Sequence, residues 1–275
     1  MQSSTPSSPI VLDGPVTAFR RERRPLELRF RRARLAERVQ VSPGYVRVRL
    51  AGHDLRGFES LGPDDHIRVF FPADGVEPES IESYRESPSR EYTPLAWDRD
   101  AGTLDLEFVL HGDHGVAGRW AADAPIGAPV AVGGPRGSAV FDGAPESWFL
   151  AGDETAVPAI RRFLALAGAN ARGRVLVEVP DAAHELDLDV PDGVRLDWVH
   201  RGADPAARTA ALIEALDVLG PDHRPAGDLF AFVAAEQSVV KPARALVHDR
   251  WGVGPEQSTV KGYWKGGDAA YHAPH

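Results

Sequence analysis

The chain has 275 residues, of which 43% are hydrophobic and 26% are charged, with a formal net charge of -9. A chain of this length can bury ordinary cores and suits two domains better than one. It contains no cysteine, which excludes disulfides, thiolate-ligated zinc and iron–sulfur clusters. The negative charge argues against general nucleic-acid binding.

The N-terminal segment is rich in serine and proline and lacks the apolar core of a secretory signal, so we predict a disordered tail over residues 1–23. No run approaches the about 18 apolar residues needed to cross a bilayer, so we expect a cytoplasmic protein without stable membrane insertion. Eight arginines lie between Arg20 and Arg34. They could attract an anionic ligand or an acidic membrane surface, or they could form the solvated edge of a barrel.

Residues 24–143 carry short apolar patterns of period two, such as Val46, Val48 and Leu50 alternating with arginines. Further strands are predicted over 66–71, 102–110 and 129–132, with turns that contain glycine and proline between them. Many short strands at this spacing predict an antiparallel Greek-key β-barrel.

Residues 144–275 change to an alternation of strand and helix, which predicts an α/β domain with a parallel sheet. The strands are predicted over 148–151, 174–179, 194–199, 228–235 and 258–264. Between them, residues 160–167, 206–219 and 239–250 are predicted as helical. The domain junction is placed at 143/144.

The first segment with chemical potential is Arg90-Glu91-Tyr92-Thr93, at a predicted barrel strand. The arginine could pair with a pyrophosphate, the ring could stack on a flavin, and the hydroxyl could bond the edge of that flavin. The alternative is that Tyr92 is a core residue and Arg90 a surface charge.

The second segment runs from His111 to Ala121 and contains a glycine-bearing turn, Gly115 to Gly118, that leads into a short helix. Unpaired N–H groups at such a helix N-terminus can bind a diphosphate. His111 and His114 have no third ligand nearby, so no metal site is predicted.

The third segment, residues 151–160, joins a strand to a helix through Asp153, Glu154 and Thr155. A helix N-terminus at the carboxyl edge of a parallel sheet is a nucleotide site in open α/β folds, although no G-x-G-x-x-G is present. The alternative is a well-capped structural helix.

The fourth segment, residues 261–267, places Tyr263 and Trp264 at the end of the last strand, with Lys261 and Lys265 beside them. The two rings could wall the space between a nicotinamide and a flavin. Buried aromatic packing is the alternative.

In this order, on a barrel followed by an α/β domain, the four segments resemble the siderophore-interacting protein family of ferredoxin-reductase-like flavoenzymes. The resemblance runs from about Arg31 to Gly267 and also includes Asp65-His66-Ile67-Arg68 and the turn from Gly133 to Ser138.

The resemblance implies cofactors FAD and NADH or NADPH, and a ferric siderophore as electron acceptor. It implies that FAD contacts Arg90, Tyr92, Thr93, His111, Gly115, Val116, Ala117 and Gly118, and that NAD(P)H lies near Asp153, Glu154 and Thr155. Tyr263 and Trp264 are expected to line the cofactors, Lys265 and Arg47 to bind the anionic substrate, and no residue to act as an acid or base. A monomer is expected.

The chain departs from the family pattern in the FAD contacts. Leu95 stands where the family has an arginine, and Val116 and Gly118 stand where it has a proline and a serine. Weak FAD binding would favour a second interpretation, an NAD(P)H:flavin reductase, and loss of redox activity would give a third, a siderophore-binding protein. Asp181 and Glu185 after a predicted strand favour NADH weakly, because a 2′-phosphate needs a basic pocket.

Overall fold

A computed structural model of the chain describes residues 18–73, 76–110, 115–202, 204, 208–268 and 271. Within these ranges, antiparallel strands form the first half and a parallel sheet forms the second. This is the architecture that the sequence predicts, and the site lies where the two halves meet.

The barrel half contains a sheet of seven antiparallel strands among the described residues, in the order β5-β4-β8-β2-β3-β7-β6. The strands are β2 (Phe30–Ser42), β3 (Tyr45–Ala51), β4 (Ile67–Phe70), β5 (Ser89–Tyr92), β6 (Ala96–Asp98), β7 (Thr103–Val109) and β8 (Pro129–Gly133). Two short helices accompany them, α1 (Ile81–Arg85) and α2 (Val116–Asp123).

The two edge strands of this sheet, β5 and β6, are consecutive in the chain and are joined by Thr93–Leu95. A connection of three residues spans at most about 14 Å. The edges therefore approach each other, and the sheet curves into the predicted barrel. The N–H of Leu95 donates to the carbonyl oxygen of Asp105 on β7 at 3.0 Å, which ties the connection to the barrel wall.

The interior of the barrel follows the alternation in the sequence. Val46, Val48 and Leu50 are buried inside it, and Trp120 of α2 covers the same core. The ring centroid of Trp120 lies 5.3 Å from that of Phe71. The helix is therefore attached through its apolar face, which leaves its N-terminal turn at the surface.

A separate ribbon pairs β1 (Phe19–Pro25) with β9 (Gly137–Gly143). The predicted disordered tail over 1–23 is therefore wrong for Phe19 to Arg23. Phe19 packs on Phe141 and Phe230, and this apolar anchor orders a segment whose neighbours are polar. The rest of the predicted tail, residues 1–17, lies outside the described residues.

The second half contains a parallel sheet of five strands in the order β12-β11-β10-β13-β14. Its strands are β10 (Ser147–Asp153), β11 (Gly173–Val179), β12 (Val194–His200), β13 (Leu229–Glu236) and β14 (Ser258–Trp264). The helices are α3 (Val157–Ala167), α4 (Ala210–Asp217) and α5 (Val240–Arg244), and α5 continues as a π-helical turn over Ala245–Arg250. The strand order reverses direction between β10 and β13, so a crevice forms there at the carboxyl edge.

The two halves share apolar packing. Tyr45 on β3 and Phe141 on β9 join the core that contains Trp148, Phe163 and Phe230 of the second half. The division at 143/144 stays a prediction. No helix among the described residues has the length and apolar character needed to cross a membrane.

Candidate functional site

The predicted flavin segment lies on β5, at the barrel edge that faces the second half. The ring centroid of Tyr92 lies 4.2 Å from that of Phe108, and burial raises the pKa of its hydroxyl, which keeps it neutral. The guanidinium of Arg90 is half-buried and donates to the carbonyl oxygen of Ser89 at 2.7 Å. That bond uses one of its five donors. Thr93 follows as a buried residue.

The predicted diphosphate turn becomes the first turn of α2. Gly115 precedes the helix, and the N–H of Arg119 donates to its carbonyl oxygen at 3.0 Å. The N–H groups of Val116, Ala117 and Gly118 therefore precede the first helical hydrogen bond. A Cβ on Gly118 would lie 3.8 Å from the nearest atom, so the position has room for a side chain. His111 lies outside the described residues.

The predicted nucleotide turn links β10 to α3. The carboxylate of Asp153 accepts from the N–H of Thr155 at 2.9 Å and from the indole N–H of Trp264 at 2.7 Å. Gly152 packs so tightly that an added Cβ would collide with the carbonyl oxygen of Ala234. The turn is therefore fixed both to the neighbouring strand and to the end of β14.

Charges at this turn are buried. Burial, and next the charge of Glu154, raise the pKa of Asp153 to about 6. Glu154 accepts two hydrogen bonds from Arg201, at 2.9 and 2.6 Å. Arg201 also lies 3.6 Å from Glu178, whose carboxylate accepts from two N–H groups at the start of α4. Arg201 thus compensates two carboxylates at the carboxyl edge of the sheet.

The two predicted aromatic residues at the end of β14 meet different partners. The hydroxyl of Tyr263 is buried and has no hydrogen-bond partner among the described residues. Burial raises its pKa, and the charge of Lys261 opposes that rise. The ring of Trp264 is covered by Arg208, whose Cζ lies 5.7 Å from the centroid. Lys265 is exposed just past the strand.

The halves are also joined by an ion pair between Lys261 and Asp64, with Nζ 3.1 Å from the carboxylate. Burial alone would raise the pKa of Asp64, but Lys261, which both attracts and hydrogen-bonds it, lowers the pKa below its usual value. The segment Asp65-His66-Ile67-Arg68, which is part of the resemblance, begins at the residue after Asp64. The carboxylate of Asp65 accepts from Ser60 at 2.9 Å, from Ser138 at 2.5 Å and from the N–H of Gly62 at 3.0 Å.

Arg47, the other predicted substrate residue, lies on the outer face of β3. Its guanidinium donates to Glu107 at 3.1 and 2.7 Å, and the hydroxyl of Tyr45 donates to the same carboxylate at 2.8 Å. Arg47 keeps 39% of its side chain exposed, whereas that of Glu107 is fully buried. The structure therefore places Arg47 on a different barrel face from Tyr92.

Three of the four segments meet at one interface. Arg162 of α3 donates to the carbonyl oxygen of Pro94, directly after Thr93, at 3.2 Å, and the indole of Trp264 donates to Asp153, so the flavin segment, the nucleotide turn with its helix and the end of β14 adjoin. Within the described part of the chain, the helix α2 is linked to this group through the barrel core, where Trp120 and Tyr92 both pack on Phe108.

Sequence reasoning missed four charged residues of this interface, namely Asp64, Arg162, Arg201 and Arg208. One signal was available, because Arg201 comes two residues after the predicted strand 194–199, whose carboxyl end belongs to the nucleotide edge. The others come together only through contacts between elements distant in the chain.

The residues present fit FAD and NAD(P)H. A polarisable ring, a guanidinium that uses one donor within the described residues, and the N-terminal turn of α2 suit a flavin and its diphosphate. The buried Tyr263 hydroxyl at the meeting point retains hydrogen-bonding capacity. The described residues contain no group of three histidine, aspartate or glutamate side chains arranged to hold a metal ion.

Comparison with protein families gives two matches that together cover most of the chain. Residues 34–139 match the siderophore-interacting FAD-binding domain, and residues 145–267 match the siderophore-interacting protein model.

Similar proteins agree with these matches. The chain is 33% identical to ferric vibriobactin reductase ViuB of Vibrio cholerae, over 84% of this chain and 89% of that protein. It is 34% identical to the NADPH-dependent ferric-chelate reductase of Escherichia coli, over 86% of this chain and 94% of the relative. A siderophore utilization protein from T. fusca superposes with a TM-score of 0.80 at 33% identity, covering 92% of this chain and 98% of that one.

The FAD-binding match, the barrel followed by a parallel sheet and the similarity along nearly the whole chain confirm the resemblance drawn from the motifs. The chain belongs to the siderophore-interacting protein family.

Proposed function

We propose that the chain is an NAD(P)H-dependent ferric-siderophore reductase that works through bound FAD. The observation that carries the proposal is the contact between the two halves. Arg162, on the helix that follows the nucleotide turn, donates to the carbonyl oxygen of Pro94 directly after Thr93, and the indole of Trp264 at the end of β14 donates to Asp153 of that turn. A hydride can pass only between atoms held about 3–3.5 Å apart, so a reductase needs such an interface.

On the barrel side, the proposal assigns FAD to Arg90, Tyr92 and Thr93 and to the α2 turn from Gly115 to Gly118. His111 is proposed for the same group from the resemblance alone. Arg90 pairs with a phosphate, Tyr92 supplies an apolar face, and the N–H groups of the turn bind the diphosphate. When bound, FAD supplies the conversion between the two-electron donor NAD(P)H and a one-electron acceptor.

On the sheet side, NAD(P)H is assigned to the turn containing Asp153, Glu154 and Thr155. Asp153 holds the indole of Trp264 in place, and Arg201 fixes Glu154. The proposal gives these residues the tasks of orienting the nucleotide and excluding water. It assigns none of them as an acid or base. This agrees with a reaction whose chemistry lies in the cofactors.

The reaction balances as one NAD(P)H oxidised and two Fe(III) ions reduced to Fe(II), with one proton released. Hard oxygen donors of a siderophore hold Fe(III) much more strongly than Fe(II), so reduction frees the metal. The exposed Lys265 is proposed to attract the anionic ferric siderophore. Arg47 is proposed for the same role on the basis of its charge alone. A monomer in the cytoplasm stays a prediction.

The test is the visible absorption spectrum of the purified chain titrated with FAD and then reduced without oxygen by NADH or NADPH. A bound-flavin spectrum that is bleached by one nucleotide and restored by a ferric siderophore supports the reductase. If Arg90→Ala binds FAD as tightly as the parent chain, the assignment of Arg90 is wrong. If no flavin binds in excess FAD, the proposed function is wrong.

A flavin reductase is the second candidate, favoured by Leu95 and Gly118 at positions where the family has an arginine and a serine. The two functions differ when FAD is limiting. A bound-FAD reductase keeps a saturable rate with ferric siderophore, whereas a flavin reductase depends on the concentration of free flavin.

A further inference from the structure

One side chain of the second half reaches across the interface into the barrel. Arg162 on α3 donates to the hydroxyl of Ser60 at 2.9 Å, to the carbonyl oxygen of Ser60 at 2.6 Å and to the carbonyl oxygen of Pro94 at 3.2 Å. Its Cζ lies 5.1 Å from the ring centroid of Trp97. Burial lowers the pKa of this guanidinium below its usual value, so its bonds must offset a desolvation cost.

The acceptors of these bonds belong to the flavin segment and its support. Pro94 directly follows Thr93 in the connection that joins β5 to β6. Ser60 also donates to Asp65, the buried carboxylate that collects three hydrogen bonds behind the flavin segment. The guanidinium of Arg162 therefore bonds both to the connection between β5 and β6 and to Ser60, a member of the hydrogen-bond network around Asp65.

The other end of the link is the nucleotide turn. The helix α3 follows that turn, and Arg162 lies seven positions after Thr155, which is about 10 Å along a helix. A helix of this length is stiff. The position of the nucleotide turn is thus transmitted through α3 to the carbonyl oxygen of Pro94.

The neighbouring arginine makes a useful contrast. Arg161 points to a different barrel face, where its Nε lies 3.7 Å from Glu107. Both arginines join the halves, but only Arg162 contacts the connection that follows Thr93.

We propose that Arg162 is a positioning residue for hydride transfer, which sets the approach of the flavin segment to the nucleotide turn. This inference rests on the proposed function. The hydrogen-bond partners of Arg162 among the described residues are Ser60 and Pro94, neither of which is assigned to a cofactor, so we infer that it acts through them. A displacement of about 1 Å between reacting groups can slow a reaction about 100-fold, so loss of this link affects the reduction rate more than binding.

The test compares the parent chain with Arg162→Met and Arg162→Lys, each loaded with FAD. Stopped-flow bleaching of the flavin at saturating NAD(P)H, without oxygen, gives the reduction rate constant. We expect a ten- to hundredfold fall for R162M, an intermediate fall for R162K, whose single nitrogen cannot bond both acceptors well, and a change in FAD dissociation constant below about threefold.

Hydrogen–deuterium exchange of the FAD-free chain gives a readout besides activity. R162M should speed amide exchange in the connection around Leu95 and leave the buried strands of both halves protected. Arg174→Met is the matched control, because Arg174 is also partly buried and ion-paired, with Asp197 at 2.7 Å, but lies at the opposite edge of the sheet. It should change neither exchange around Leu95 nor the reduction rate.

The inference is overturned if R162M bleaches as fast as the parent chain, or if its loss of rate is fully accounted for by weaker FAD binding. If R162M does not fold, R162K and Ser60→Ala decide in its place, because each weakens the same link less severely. If the parent chain itself shows no bleaching with either nucleotide, the proposed function fails, which is a distinguishable result.

Discussion

Replacement of Asp153 by asparagine should make the free energy of unfolding less dependent on pH. Burial raises the pKa of this carboxyl to about 6 from 3.8, because only 3% of the residue is exposed and Glu154 lies beside it. The ionised form is therefore disfavoured in the folded chain. Stability contributed by the protonated form is lost as the pH rises through about 6.

The magnitude follows from the two pKa values. Near pH 8 the group is ionised in both states, and near pH 5 it is protonated mainly in the folded one. Linkage then gives a gain of about 1.4 kcal/mol in the free energy of unfolding on going from pH 8 to pH 5. The amide introduced by Asp153→Asn would keep an oxygen that can accept from Trp264 but could not titrate, so this variant should lack the gain.

Urea denaturation of the parent chain and D153N near pH 5 and pH 8 measures the difference. Asp197→Asn is the control. Burial alone would raise the pKa of Asp197, but hydrogen bonds from Arg195 and Arg174 lower it below its usual value, so it stays ionised over this range. Parallel pH profiles for the parent chain and D153N would refute the reasoning.

Three further changes test individual contacts. Gly118→Ser should tighten FAD binding about threefold to tenfold in a fluorescence titration, because a Cβ there lies 3.8 Å from its nearest neighbour and the hydroxyl adds a donor to the α2 turn. Gly152→Ala should destabilise the chain by about 1–3 kcal/mol in urea and raise the KM for NAD(P)H, because the new Cβ would meet the carbonyl oxygen of Ala234. Glu107→Gln should lower the free energy of unfolding by about 1–3 kcal/mol, because it removes the buried carboxylate that compensates both Arg47 and the less exposed Arg161.

Two of these changes, G152A and E107Q, have a matched control in the chain. Gly254→Ala adds a Cβ that meets nothing within 4 Å, so it should be nearly neutral where G152A is not. Glu37→Gln removes an exposed carboxylate, 3.4 Å from Arg49, and should cost less than about 0.5 kcal/mol. Equal effects of a variant and its control, or weaker FAD binding by G118S, would contradict these assignments.

The architecture could be predicted because local patterns carry it. The period-two alternation around Val48 and the helical face at Ile160, Phe163 and Leu164 both correspond to buried residues in the structure. The exception is β1. Phe19 is ordered by contacts with residues more than 100 positions away, which the local composition of the N-terminal segment cannot report.

The site was less predictable from local sequence. The segments with Tyr92, Asp153 and Trp264 are recognisable because each combines a turn or strand end with a chemically suited side chain. The links between them are not, because the pairing of Arg162 with Pro94 and of Lys261 with Asp64 depends on how two separately predicted halves pack together. An arginine in the middle of an amphipathic helix gives no local sign of such a role.

The central claim is that electrons pass from NAD(P)H through bound FAD to the iron of a siderophore. The most direct measurement is the amount of Fe(II), trapped by a ferrous chelator without oxygen, that the FAD-loaded chain releases from a ferric siderophore per NAD(P)H consumed. We predict two Fe(II) per NAD(P)H, with no release from the FAD-free chain. NAD(P)H oxidation without Fe(II), or Fe(II) release that requires only free flavin, would contradict the account.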